Sequence, residues 1–200
     1  MNGKYWSDFL AAGYMVVEGK TYSVSHLRDR VFEVQVEEKP GCFVKIDLQV
    51  EFTSHCVSRG PKKGQTIDFS VVGYDQLVID GRNNWRSFNK DRYALSSLLP
   101  NVVETLASRP CLFTNHENFL TLEIGKLLPN YPEGTEYEIY FNARKGSKKN
   151  SVRIVLESAY VRDEYADHQP KKFKKNDRIK GGKLLLKKAR GLPIKRPPGQ

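Results

Sequence analysis

Three stretches of this sequence concentrate side chains able to do acid–base or anion chemistry. FTSHC (52–56) crowds a hydroxyl, an imidazole and a thiol, Ser54, His55 and Cys56, at the end of what reads as a strand, where connecting segments commonly carry functional groups. Histidine exchanges a proton near neutral pH, so His55 is a candidate general base or acid. Adjacent strand residues point to opposite faces, so His55 is not expected to form a dyad with Cys56, and a packed structural histidine is the competing reading. RNNWRSFNKDRY (82–93) interleaves Arg82, Arg86 and Arg92 with Trp85, Phe88 and Tyr93. That pattern suits phosphate clamping and base stacking; alternatively the aromatics anchor a core and the arginines pair with acids. In ESAYVRDEY (157–165), Ser158, Tyr160 and Arg162 recur with the strand period of two. Facing a cleft, they would hold a phosphate or an oxyanion; facing solvent, they are an ordinary polar flank.

Together these residues outline a metal-independent ribonuclease. His55 would move the proton, Arg92 and Arg162 would stabilise a phosphorane, and Ser158 or Tyr160 would position the ribose. No metal or other cofactor is expected. His26, His55, His116 and His168 show no metal-ligand spacing, and neither a Walker loop nor a glycine-rich dinucleotide fingerprint is present. The three cysteines, Cys42, Cys56 and Cys111, are odd in number and form no C-x-x-C, as expected of free thiols in a reducing compartment.

The formal charge of +10 is unevenly spread. Residues 171–200 hold twelve of the 33 Lys/Arg and one of the 23 Asp/Glu, leaving 21 bases against 22 acids in residues 1–170. The excess therefore lies in an arm: Lys171, Lys172, Lys174, Lys175, Arg178, Lys180, Lys183, Lys187, Lys188, Arg190, Lys195 and Arg196. Such an arm binds RNA or DNA through counterion release, without sequence choice; an acidic protein is the other partner it suits. No apolar run approaches the roughly 20 residues of a membrane span, and the first residues lack a secretory pattern, so a cytoplasmic protein is expected.

The elements that must position these groups read as α+β: a mainly antiparallel sheet with one kinked helical segment and a disordered basic C-terminal tail. Residues 31–38 and 42–52 alternate apolar with polar around Lys39-Pro40-Gly41, predicting an antiparallel hairpin. Ile67–Val72 and Gln76–Asp80 are short candidate strands. Asn89 caps a helical stretch running to Pro110, broken or kinked at Pro100. Residues 119–128 form a strand, and 136–144 and 151–162 a second hairpin around KGSKKN, with Val152, Ile154, Leu156, Ser158 and Tyr160 alternating along one strand. Residues 1–164 are expected as a single domain and 165–200 as a flexible tail in which KLLLKKAR (183–190) is too short to hold a helix alone.

Taken in order, SHC (54–56), RYALSSLLP (92–100), EYEIYF (136–141) and LESAYVRD (156–163) resemble an uncharacterised bacterial family whose members are labelled stationary-phase growth adaptation or stress proteins. The resemblance spans roughly residues 40–163, implies a bacterial stress role, and transfers no catalytic residues. A helix followed by a terminal hairpin is also similar, as analogy, to the small ribonucleases of the barnase, colicin and RelE type. The expected function is nucleic-acid binding, RNA over DNA, through the arm. A small metal-independent ribonuclease and a protein-interaction adaptor are the alternatives.

Overall fold

The computed structural model describes residues 4–62, 64–115, 118–124, 131–162 and 177–194. Near the N-terminus, α1 (Trp6–Ala12) ends where Gly13 turns left-handed at φ +84°. Tyr5 occupies the N-cap position and makes no side-chain capping hydrogen bond. β1 (Tyr14–Val17) and β2 (Lys20–Ser23) then close a small hairpin.

The expected hairpin follows as β3 (Arg30–Lys39) and β4 (Cys42–Phe52). Along β4 the alternation is kept: Ile46, Leu48, Val50 and Phe52 are buried, whereas Lys45, Asp47, Gln49 and Glu51 lie on the other face. β5 (Ser58–Arg59), β6 (Leu77–Ile79) and β7 (Trp85–Phe88) make a separate three-stranded sheet in the order β5–β7–β6. Residues 67–72 are not a strand. Asp68 accepts hydrogen bonds from the Ser70 N–H (2.9 Å) and hydroxyl (2.6 Å), a local turn that competes with sheet pairing.

The helical stretch is two abutting helices, α2 (Lys90–Ser96) and α3 (Leu99–Glu104). Asn89 caps the first, accepting from Arg92 N–H at 2.9 Å, and Pro100 sits in the first turn of the second, where its missing N–H costs nothing. β8 (Pro110–Asn115), β9 (Asn118–Ile124), β10 (Glu136–Lys145) and β11 (Ser151–Val161) complete the β-rich last third.

The expected flexible tail is corrected over the part that is described. Residues 178–180 form β12 (Arg178–Lys180), paired antiparallel with β8, and α4 (Gly181–Ala189) follows directly. Leu184 and Leu185 are fully buried in the main core. A two-turn helix is unstable alone, but docking its leucine face supplies what propensity lacks. Two glycines permit the approach: a Cβ on Gly181 would lie 1.8 Å from the Leu106 carbonyl oxygen, and one on Gly182 3.0 Å from Val36. Of the arm's cations, Lys171, Lys172, Lys174, Lys175, Lys195 and Arg196 lie outside the described residues. Arg178, Lys180, Lys183 and Arg190 are exposed on β12 and α4, Lys187 is half-buried, and Lys188 is buried.

The main sheet therefore runs β12–β8–β9–β10–β11–β4–β3, antiparallel throughout except for the parallel β11–β4 pair. Its inner face carries the core, with Tyr137, Ile139 and Phe141 of β10 beside Val152, Ile154 and Leu156 of β11, covered by α3 and α4.

Candidate functional site

The candidate residues converge because a β-bulge interrupts β11. Tyr140 pairs with Ser158, and the next residue, Phe141, pairs with Leu156, leaving Glu157 without a cross-strand partner. One extra residue inverts the alternation beyond it. Leu156 and Ala159 both face the core, while Ser158 and Tyr160 emerge half-buried on the opposite face. The reading that placed Ser158 and Tyr160 in line with Val152, Ile154 and Leu156 is thereby corrected. Thr53, at the end of β4, secures the bulge: its N–H donates to Leu156 O (3.1 Å) and its hydroxyl to Glu157 O (2.9 Å).

The same Thr53 caps a single 3₁₀ turn, Ser54–Cys56, that aims His55 across the bulge. Cys56 points the other way into the core, where burial pushes its thiol up to about 12. His55 Nε2 lies 3.1 Å from Asp80 Oδ2. Asp80 is buried at the start of the tight loop DGRNN. Burial pushes its carboxyl upward. Hydrogen bonds from the Asn84 N–H (2.9 Å), His55, the Arg82 N–H (2.8 Å) and the Asn84 amide outweigh it and hold the group at about 2. An ionised Asp80 is an acceptor, so it fixes the His55 proton on Nε2 and leaves Nδ1 as the basic nitrogen.

Two arginines stand behind this pair. Arg86 donates from Nε to Ser58 Oγ (2.9 Å) and from a terminal nitrogen to Ser58 O (3.1 Å). Arg92 donates to His55 O and Ser58 O, both at 3.0 Å, and lays its guanidinium 4.8 Å from the centre of the Tyr160 ring. These acceptors are backbone carbonyls and one hydroxyl, and they orient the guanidinium groups. Burial and the neighbouring Arg92 lower Arg86 to about 10. Burial first, then Arg86, depresses His55 to about 4, against the pull of Asp80. The imidazole is therefore neutral at physiological pH.

His55, Ser158 and Tyr160 are shared by two adjoining clefts. The first, of about 660 Å³, is walled by Arg59, Lys62, Arg86 and Arg92 and by the loop from Gln65 to Val72. Among the described residues that line it, these four are bases and one, Asp68, is an acid. The second, of about 570 Å³, is lined by Asp80, Arg82, Tyr140, Glu157 and Arg162. There Arg162 pairs with Glu138 through both carboxylate oxygens, at 3.0 and 2.8 Å, and the Tyr140 hydroxyl donates to Glu138 at 2.7 Å. Tyr140 and Tyr160 stack with ring centres 5.7 Å apart. Arg162 thus positions the aromatic pair and has its charge matched, whereas Arg92 belongs to the cationic cleft.

A model of the YjaZ family matches residues 14–189, which include every site residue just described and run through α4. The chain belongs to the YjaZ family. No curated protein and no solved structure matches it. In this YjaZ-family chain no group of three or more His, Cys, Asp or Glu side chains able to hold a metal ion occurs among the described residues. Among them, too, no helix is long and apolar enough to cross a membrane.

Sequence reading brought out His55, Arg92, Ser158, Tyr160 and Arg162 and missed Asp80, Arg59 and Lys62 as site groups. Asp80 had a local signal: an acid opening a DGRNN turn is held by the turn's own amides. The proximity of Arg59 and Lys62 arises from the return of a long loop, which leaves no periodic trace.

Proposed function

We propose that this protein binds a single strand of nucleic acid, RNA in preference to DNA, with a phosphodiester seated in the cationic cleft beside His55. The observation that carries this reading is the pair of arginine forks, Arg86 and Arg92, oriented by backbone carbonyls at the wall of the cleft beside the half-buried ring of Tyr160. Preorganised guanidinium groups suit phosphate oxygens, and an adjoining aromatic suits a base. The cations outside the cleft then act as an electrostatic surround, not as the binding element itself. The sequence resemblance supplies the setting we propose, a bacterial growth-adaptation or stress response.

Fluorescence anisotropy with a labelled single-stranded RNA and the matched DNA tests it. The Arg59→Glu/Lys62→Glu protein, altered at the rim of the cleft, should lose about ten-fold or more in affinity, with the salt dependence flattened by roughly two ions. Unchanged affinity and slope would reject the cleft as the binding element.

The His55–Asp80 pair favours a second reading, cleavage of the bound strand. A phosphate between the arginines would raise the imidazole's proton affinity, and Nδ1 would take the proton of an attacking hydroxyl. RNA cut in EDTA by the wild type, and left whole by a folded His55→Ala protein that still binds it, would establish catalysis. Growth arrest on expression, relieved by the same substitution, is the cellular counterpart.

A further inference from the structure

A further groove, of about 630 Å³, runs between α4 and the end of β3 and shares no lining residue with the two clefts around His55. Five consecutive β3 residues, Gln35 to Lys39, line it. Successive strand residues point to opposite faces, so a groove that meets five in a row follows the strand's edge and not one of its faces. β3 is the terminal strand of the main sheet, and its outer edge has no backbone partner among the described residues. The opposite wall is the outward stripe of α4, where Lys183, Lys187 and Arg190 recur at helical spacing around the half-buried Leu186. The floor is apolar: Val36, Ala107 and Leu192, with Phe43 63% exposed above them.

Charge selects the occupant. Five bases line the groove, Lys39 and Lys180 in addition to the three on α4, against two acids, Glu37 and Glu38. Arg190 already pairs with Glu38 and closes one end at 2.5 Å. Lys39, Lys180 and Lys183 form no ion pair among the described residues. A strand edge beside a helix is a setting in which extended peptides add as a further strand: backbone hydrogen bonds supply affinity and alternate side chains supply specificity. A nucleic-acid strand could use the lysines but would leave both the strand edge and the leucine-lined floor unsatisfied.

We infer that this groove binds an extended segment of a partner protein in which acidic residues alternate with apolar ones, joining β3 as an eighth strand with its carboxylates toward Lys183 and Lys187. This surface is separate from the His55 cleft and does not depend on how that cleft functions.

Selection of short random peptides on the full-length protein, followed by anisotropy titration of the winners, tests the inference. Enriched peptides should alternate Asp or Glu with Val, Ile or Leu. Replacing a central residue by proline, which has no N–H to give to a strand, should abolish binding. The Lys183→Glu/Lys187→Glu protein, altered only on the outward side of α4 and checked for folding by circular dichroism, should weaken the acidic peptides about ten-fold or more. It should also strengthen their lysine counterparts. No enrichment, enrichment of basic sequences, indifference to proline, or displacement of the peptide by single-stranded RNA would each overturn the inference.

Discussion

Leu184→Ala separates a docked helix from a basic arm. Leu184 is fully buried, on a helix that packs against β3, β4, β10 and β11. Truncating a fully buried leucine removes its transfer free energy and leaves a cavity, together about 3 kcal/mol, within a usual range of roughly 2–5. Against a total stability of about 5–15 kcal/mol that is a large fraction. For a domain of this size it lowers the thermal midpoint by roughly 6–12 °C. In urea, with a slope of about 2–3 kcal/mol per molar, the midpoint falls by about 1 M. The control is the adjacent residue: Lys183→Ala alters an exposed side chain of the same helix and should cost less than about 0.5 kcal/mol. Far-UV circular dichroism of the full-length proteins in urea measures both. Equal midpoints for the two variants would refute the docking of α4. The result also bears on binding work, because a truncation at residue 170 removes core as well as charge and cannot serve as a tail deletion.

Four further outcomes follow from the geometry. By NMR the His55 ring should titrate near pH 4, and a midpoint above 6 would mean that the ring is not buried against the arginines as described. Because that group is depressed from its ordinary 6.5, the unfolded chain takes up the proton first. Stability is then full above pH 6.5 and declines to about pH 4, by about 2 kcal/mol once the third of the ring that meets solvent is discounted, a slope His55→Gln should remove. Gly181→Ala should destabilise by well over 1 kcal/mol, since its Cβ would meet the backbone oxygen of Leu106, whereas Gly81→Ala, with open space around it, should be near neutral in the same melts. Ellman's reagent should titrate one thiol, Cys42, in the native protein and three after denaturation, because Cys56 and Cys111 are buried; three reactive thiols in the native state would contradict the packing of β8 and of the Ser54–Cys56 turn.

The sequence was most legible where a period met a single environment. β4 alternates cleanly because one face is core and the other is not, and its bounds could be read from Cys42 to Phe52. β7 and β8 were missed, since WRSF and PCLFTN are short and carry no alternation of their own. The described part of the tail, 177–194, departs from the expectation because composition outvoted position. Twelve cations in thirty residues look disordered, yet the three leucines at 184–186 and the glycine pair ahead of them are what a docking helix requires. Asp80 illustrates a different limit: its role depends on His55, 25 residues away, and no local pattern records that meeting.

The bulge at Glu157 is the point at which a local irregularity makes the site, and it can be tested by count instead of by chemistry. Glu157→Ala keeps the extra residue and removes only a half-buried carboxylate, so stability should change by less than about 1 kcal/mol. Deleting Glu157 removes the extra residue, and the pairs on either side, Tyr140 with Ser158 and Phe141 with Leu156, become consecutive rungs of a regular ladder. Ser158 and Tyr160 then keep their face and Leu156 and Ala159 stay toward the core; the main loss is the bond from the Thr53 hydroxyl to the Glu157 carbonyl, about 1 kcal/mol. Deleting Glu157 and Ser158 together shifts the parity: Ala159 turns outward and Tyr160 and Arg162 rotate into the core, or β11 ends at Leu156 and Arg162 gives up Glu138. Burying a guanidinium without that carboxylate, or stranding the Glu138 carboxylate, costs roughly 3–5 kcal/mol, and both routes remove Tyr160 from beneath Arg92. The double deletion should therefore unfold far more readily in urea than the single deletion and should lose any RNA affinity that the cleft provides. Equal stability of the two deletion proteins would show that the facing of β11, on which the convergence of His55, Arg92, Ser158 and Tyr160 depends, is not built into the fold.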